Sequence, residues 1–254
     1  MVDDDLSCYE QPLNERIRTF LRVEHLLTRL SHHRADTSHW GRRAAVEATL
    51  DLLNVMSRHD IRGEASKALV ARRSTLAALA EREDIDTRAL ADILAEIDAR
   101  AGELARIPPQ FAAYRLRDEA LLKSVNNRTP IAGGTCSFDV PAYRHWLRQS
   151  DARIDTDIAR WVAPIETVGA GVELVLRMLR ESSTTETYTA ESGVFLHQTA
   201  SNTQLIRVFV ADDDVFPEIS AGRHRATVRF MCDVEGRSRQ ASRDVDFHMA
   251  CSRL

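Results

Sequence analysis

The chain has 254 residues, 44% of them hydrophobic and 28% charged, enough for one or two domains whose core needs neither disulfides nor metal. Its 34 basic and 38 acidic side chains leave a formal net charge of −4, which argues against a globally basic nucleic-acid binder. No apolar run approaches the ~18 residues of a membrane span, and Met1-Val2-Asp3-Asp4-Asp5 has neither the basic nor the apolar region of a secretory signal. Cys8, Cys136, Cys232 and Cys251 are scattered without a C-x-x-C pair, so the expectation is a cytoplasmic, globular protein with reduced thiols, no metal and no cofactor. Lys67 and Lys123 are the only lysines, a bias that codon usage explains; where the arginines cluster says more than their number.

Leu6 to Glu10 is read as a short strand. Asn14, after Pro12, stands at the N-cap of a helix with Ile17, Phe20, Leu21, Leu27 and Leu30 at helical spacing. Residues 42 to 57 repeat the pattern with Ala45, Ala48, Leu52, Val55 and Met56, and Glu64 to Glu83 is rich in Ala and Leu. A clean amphipathic helix runs from Asp86, with Leu90, Ile93, Leu94, Ile97, Ala101 and Leu104 on one face, and Pro108-Pro109 stops it. A shorter helix is predicted over Phe111–Val125. Pro130, Gly133, Gly134 and Pro141 then punctuate a loop or tight turn. Helical spacing returns from Ile158 to Leu179 and ends at Ser182-Ser183-Thr184-Thr185.

Past Thr185 the period falls to 2. Val208 and Val210 alternate with Arg207 and Phe209, Ala226, Val228 and Phe230 with Arg225, Thr227 and Arg229, and Val245, Phe247 and Met249 with Asp244, Asp246 and His248. Such alternation predicts antiparallel strands with one solvated face. The fold class is therefore α+β: a mostly helical domain over residues 12–185 and a smaller β domain over 186–254, joined by an N-terminal strand from residues 5–10.

The segment Gly133-Gly134-Thr135-Cys136-Ser137-Phe138-Asp139, with His145 beyond it, has two readings. One is a cysteine-dependent enzyme with Cys136 as nucleophile and His145 as base. The other, preferred because no spacing supplies an orienting residue, is a glycine turn that delivers Cys136 and Phe138 to the core. No catalytic residue is assigned. His32, His33 and His39 lack the i, i+4 pairing of metal ligands, and the two glycines lack the rest of a nucleotide fingerprint.

Two basic clusters stand out. Arg58, Arg62, Lys67, Arg72 and Arg73 face only Asp60 and Glu64, and a helix continuous through Gly63 would place Arg58, Arg62 and Arg73 near one stripe. Arg223, Arg225 and Arg229 are separated by even steps, which puts all three on one strand face with no interleaved acid; His224 would lie on the other. Such surfaces suit an acidic peptide, because guanidinium groups match carboxylates bidentately. Nucleic-acid binding through the same arginines is the alternative.

Several segments together resemble the ZapD family, the Z-ring associated protein D of bacterial division. They are the run Tyr9 to Glu24, the loop Thr129–Pro141 with His145-Trp146-Leu147, Phe216-Pro217-Glu218-Ile219-Ser220, Val228-Arg229-Phe230-Met231 and Asp246 to Cys251. Ala132 stands where that family usually has proline, and Ser252 replaces a second terminal cysteine. The resemblance implies a symmetric homodimer, a non-enzymatic cytoplasmic division factor acting at mid-cell, and binding to the C-terminal tail of FtsZ with bundling of its filaments. It carries Arg58 and Arg62 onto basic positions of the helical domain, and Arg223, Arg225 and Arg229 onto the basic segment of the β domain. Neither nucleic acid nor membrane is an implied partner.

Overall fold

The computed structural model describes residues 6–78, 86–222, 224–234 and 236–253. In chain order these form β1 (Ser7–Pro12), α1 (Glu15–Arg34), α2 (His39–Arg58), α3 (Ile61–Ala77), α4 (Thr87–Arg106), α5 (Phe111–Asp118), α6 (Ala120–Asn126), α7 (Pro141–Trp146) and α8 (Asp151–Glu181). Seven strands follow: β2 (Glu186–Ala190), β3 (Val194–Gln198), β4 (Leu205–Val210), β5 (Phe216–Ala221), β6 (Arg225–Val234), β7 (Arg237–Gln240) and β8 (Val245–Ser252). The fold class is α+β, helical first and strand-rich afterwards. Two compact units divide the chain, Phe20–Val175 and the pair Met1–Thr19 with Leu176–Leu254.

Local chemistry sets the helix ends. The Asn14 side chain accepts from the Ile17 N–H at 2.9 Å, and Asp86 accepts from Arg88 and Ala89 at 2.9 and 3.0 Å, so free donors of the first turns find partners. In the Phe20–Val175 unit, Phe20, Val23 and Leu30 of α1, Leu50, Leu52 and Leu53 of α2, Leu90, Ile97 and Leu104 of α4, and Trp161, Val162, Ile165, Val168 and Val172 of α8 are buried. Gly169 and Gly171 let α8 approach closely: a Cβ there would lie 2.4 Å from Leu27 Cδ1 and 2.9 Å from Leu104 Cδ1.

One of the predicted helices is divided. The helix predicted over Phe111–Val125 is two, because Glu119 leaves the helical conformation (φ −87°, ψ 100°). Its carboxylate accepts from Arg115 at 3.0 Å and is gripped by Arg160 of α8, contacts that hold the chain at the bend.

The strands form two antiparallel sheets. One has the order β1-β4-β8-β2; the other has the order β3-β6-β5, with β7 also paired to β6. Their inner faces share one core of Ile206, Val208, Val210, Val228, Phe230, Phe247 and Met249. Part of the second face of the first sheet is also buried, at Leu205, Phe209, Ala250 and Ser252. There Arg180, in the last turn of α8, pairs with Glu10 at 2.7 Å, Arg207 donates to the Arg180 carbonyl at 2.5 Å, and Ser183 Oγ meets Ser252 Oγ at 2.8 Å. The β2–β3 connection turns on Ser192 (φ 48°) and Gly193 (φ 74°), the two positive-φ positions of a type I′ turn.

Candidate functional site

The first basic cluster is built on a helix break. Arg58 closes α2, the next residue His59 is extended (φ −129°, ψ 136°), and the Asp60 carboxylate caps α3 by accepting from the Gly63 N–H at 3.0 Å. A Cβ at position 63 would lie 2.1 Å from Asp60 Oδ2, so a larger residue there would displace the capping carboxylate. The break falls at His59–Asp60, ahead of Gly63, so Arg58 is parted from the stripe, while Arg62 and Arg73 stay on one helix, α3. The short carboxylate of Asp60 outcompetes continuation of α2 for the local N–H groups.

Arg58 and Arg62 instead border one depression of about 300 Å3, shared with Met56, Ile61, Pro109 and Phe111. Arg62 is half-buried and its Nη1 donates to the Ile107 carbonyl at 3.5 Å, while Arg58 is exposed. The rest of the cluster is otherwise engaged. Arg73 pairs with Asp98 at 2.5 Å, and Lys67 with Glu64 at 2.9 Å, a hydrogen bond that raises the lysine pKa. Burial pushes the Arg72 guanidinium pKa down.

The second cluster lies on β6. Arg225 and Arg229 are exposed while Ala226, Val228 and Phe230 are buried, so the two arginines share the outer face. Arg223 lies outside the described residues, and His224 precedes the strand. The register supplies what linear spacing missed. Arg225 faces Gln198 and Thr227 faces Leu196 on β3; Arg229 faces Val194 on β3 and Glu218 on β5; Met231 faces Phe216 on β5. The outer face thus carries an acid directly opposite Arg229, together with two exposed apolar side chains, Leu196 (53% exposed) and Phe216 (36%). The absence of interleaved acid along β6 does not extend to its neighbour. Leu196 was legible from the same period-2 rule; its pairing with β6 was not.

The glycine loop is a tight turn, with Gly133 at φ 71° and the Gly134 N–H donating to the Ile131 carbonyl at 2.8 Å. It does not deliver Phe138 to the core: that ring is 84% exposed, and Cys136 is only half-buried. The segment buries Val140, Tyr143 and Trp146 instead, because the turn hands the chain to α7 after Asp139. The Cys136 thiol donates to Asp139 at 3.4 Å, and the His145 ring meets Gln149 at 3.1 Å. The hydrogen-bond partner of the thiol is thus a carboxylate and not the His145 ring.

The described structure is thus an α+β chain with exposed arginines, Arg58, Arg225 and Arg229, beside partly apolar surface. The ZapD family model, described as a cell division protein, matches residues 21–229. Cell division protein ZapD of Methylococcus capsulatus is 37% identical over 249 residues, covering 95% of this chain and 96% of that protein. Those of Nitrosomonas eutropha (35% over 229 residues, 89% and 90% covered) and Azoarcus sp. strain BH72 (32% over 244, 95% and 97%) are similar to it as well. The chain belongs to the ZapD family of cell division proteins.

Proposed function

We propose that this protein binds the C-terminal tail of FtsZ through its basic surfaces and, as a homodimer, crosslinks and bundles FtsZ filaments in the cytoplasm at mid-cell, without catalysing a reaction. The supporting observation is the outer face of β6, where Arg225 and Arg229 stand beside the exposed Leu196 and Phe216. A tail with acidic and apolar residues needs both kinds of contact. One exposed ion pair contributes only about 0.2–1 kcal/mol, whereas an apolar side chain removed from water adds about 25 cal/mol per Å2. The Arg58–Arg62 depression, with Met56, Ile61 and Phe111 in its walls, offers the same combination in the helical unit. Arg223 is proposed to act with Arg225 and Arg229. A dimer doubles every site, so tails on neighbouring filaments are held together by contacts that are weak one at a time.

The test is titration of the full chain with a synthetic FtsZ tail at low and high salt. Arg225→Glu/Arg229→Glu should abolish binding with circular dichroism and dimer mass unchanged, and a monomeric variant should bind the tail yet fail to bundle. Undiminished affinity in the folded double variant removes the β6 face from the reading. Normal bundling by a monomeric variant removes bivalency through the dimer.

A further inference from the structure

A cleft of about 610 Å3 opens at the end of α2 opposite Arg58, walled by Trp40 and Arg43 of α2, the Gly133–Ser137 turn, and Arg144 and Arg148. Arg43 is fixed in that wall. Its guanidinium carbon lies 5.5 Å from the Trp40 ring centroid and 4.9 Å from that of Tyr143, and its Nη1 donates to the Thr135 carbonyl at 3.2 Å. Arg144 and Arg148, one helical turn apart in sequence, are exposed and make no ion pair among the described residues. Asp139, the acid of the adjoining loop, accepts from Cys136 and lies 3.8 Å from Arg128. Beside these cations the Trp40 indole is 75% exposed, and Phe138 follows Ser137 with its ring 84% exposed.

We propose that this cleft is a second docking site, for an acidic peptide carrying an aliphatic or aromatic side chain. Carboxylates of the peptide engage Arg144 and Arg148 while its apolar side chain covers the Trp40 indole. A free phosphate would answer the arginines and leave the indole in water. A second copy of the chain seated here about a two-fold axis would bring its own Arg43, Arg144 and Arg148 against these, like charge against like. The 20 residues of α2 span about 30 Å at 1.5 Å per residue, so one helix carries two acid-accepting sites at its opposite ends. Each protomer then holds two acidic segments within its helical unit. This bivalency rests on the reading of the Arg58–Arg62 depression as a tail site; the cleft itself does not.

Trp40 reports on its own cleft, because Trp146 and Trp161 are only 7% and 2% exposed. The probe is a short synthetic peptide of aspartates and glutamates around one leucine, free of Trp and Tyr, added to the full chain during acrylamide quenching of tryptophan emission. The peptide should shield Trp40 and shift its emission to the blue, a signal that Trp40→Phe removes. Arg144→Glu/Arg148→Glu should weaken half-saturation by roughly tenfold or more, whereas Arg58→Glu/Arg62→Glu leaves the Trp40 signal in place. Binding of a labelled FtsZ tail is followed in parallel by anisotropy. Tail binding without Trp40 shielding overturns the cleft alone; shielding by the acidic peptide without tail binding overturns the FtsZ reading and leaves the cleft standing. Shielding that appears on concentrating the protein without peptide, or with inorganic phosphate and not with peptide, overturns the proposal in favour of a self-interface or a phosphate site.

Discussion

Replacing Glu218 by glutamine should tighten binding of an acidic tail to the outer face of β6. The register sets Glu218 directly opposite Arg229, and directly opposed Cβ atoms in an antiparallel pair lie about 4.5–5.5 Å apart. At about 5 Å the attraction between unit charges is about 0.8 kcal/mol in bulk water, within the range of about 0.2–1 kcal/mol found for exposed pairs. Part of the Arg229 field is therefore spent within the sheet. Releasing it amounts to about 1.4- to 5-fold tighter binding for Glu218→Gln, and Arg229→Gln should weaken binding by a similar factor. Arg229→Glu is the less direct probe for this purpose, since besides removing the cation it sets a second carboxylate opposite Glu218. The assay is fluorescence anisotropy of a labelled tail at about 0.1 M and about 1 M salt, where the screening length falls from about 10 Å to about 3 Å and the variants should converge. If Glu218→Gln binds no more tightly and Arg229→Gln no more weakly at low salt, the charge on this face does not act on the tail. Differences that persist undiminished at high salt would refute the electrostatic account.

Four further outcomes follow from the packing. Gly193→Ala should destabilise the β unit by about 1–2 kcal/mol from the left-handed conformation alone, with more from a Cβ placed 2.5 Å from the Ala241 carbonyl oxygen; Gly102→Ala, with no atom within 4 Å of its Cβ, should stabilise α4 by about 0.5–1 kcal/mol, both read from urea midpoints. Burial of the Asp157 carboxylate would raise its pKa, but the Trp146 indole N–H at 3.0 Å and Arg153 at 3.1 Å outweigh that and hold it below 3.8. Its stabilisation is thus complete above the unfolded value and lost as pH falls through the lower folded one, so Asp157→Asn should cost about 1.5–3 kcal/mol near pH 7 and progressively less below pH 3.8 in pH-dependent denaturation. Phe138→Ser should change stability by less than about 0.5 kcal/mol, because the ring is exposed; a larger loss in thermal unfolding would mean that it is covered by packing that this chain alone does not supply.

Much of the secondary structure was legible because its causes are local. Asp86 caps α4, and the chain ahead of Pro108-Pro109 ends it at Arg106; both signals lie within a few residues of the backbone they control. The alternation along β6 likewise required only that neighbouring side chains point to opposite faces, and Arg225 and Arg229 do stand opposite Ala226, Val228 and Phe230. The errors have a common origin. Asp60 was read as a counter-charge alone when it is also the cap that starts α3, and Phe138 was assigned to the core when the turn spends its burial on Val140, Tyr143 and Trp146. Each outcome depends on which of two adjacent residues wins a place against the rest of the unit.

From composition, capping and periodicity alone, the sequence determined an α+β chain with helices first, strands second and two arginine clusters. Only the tertiary structure decided what surrounds those clusters. It sets Glu218 against Arg229 and Leu196 against Thr227 through pairing between separate strands, and it gathers Trp40, Arg43, Arg144 and Arg148 around one cleft from segments about a hundred positions apart. Periodicity records which way a side chain points from its own backbone. What it faces there is set by strand register and helix packing, which depend on burying the whole apolar surface at once.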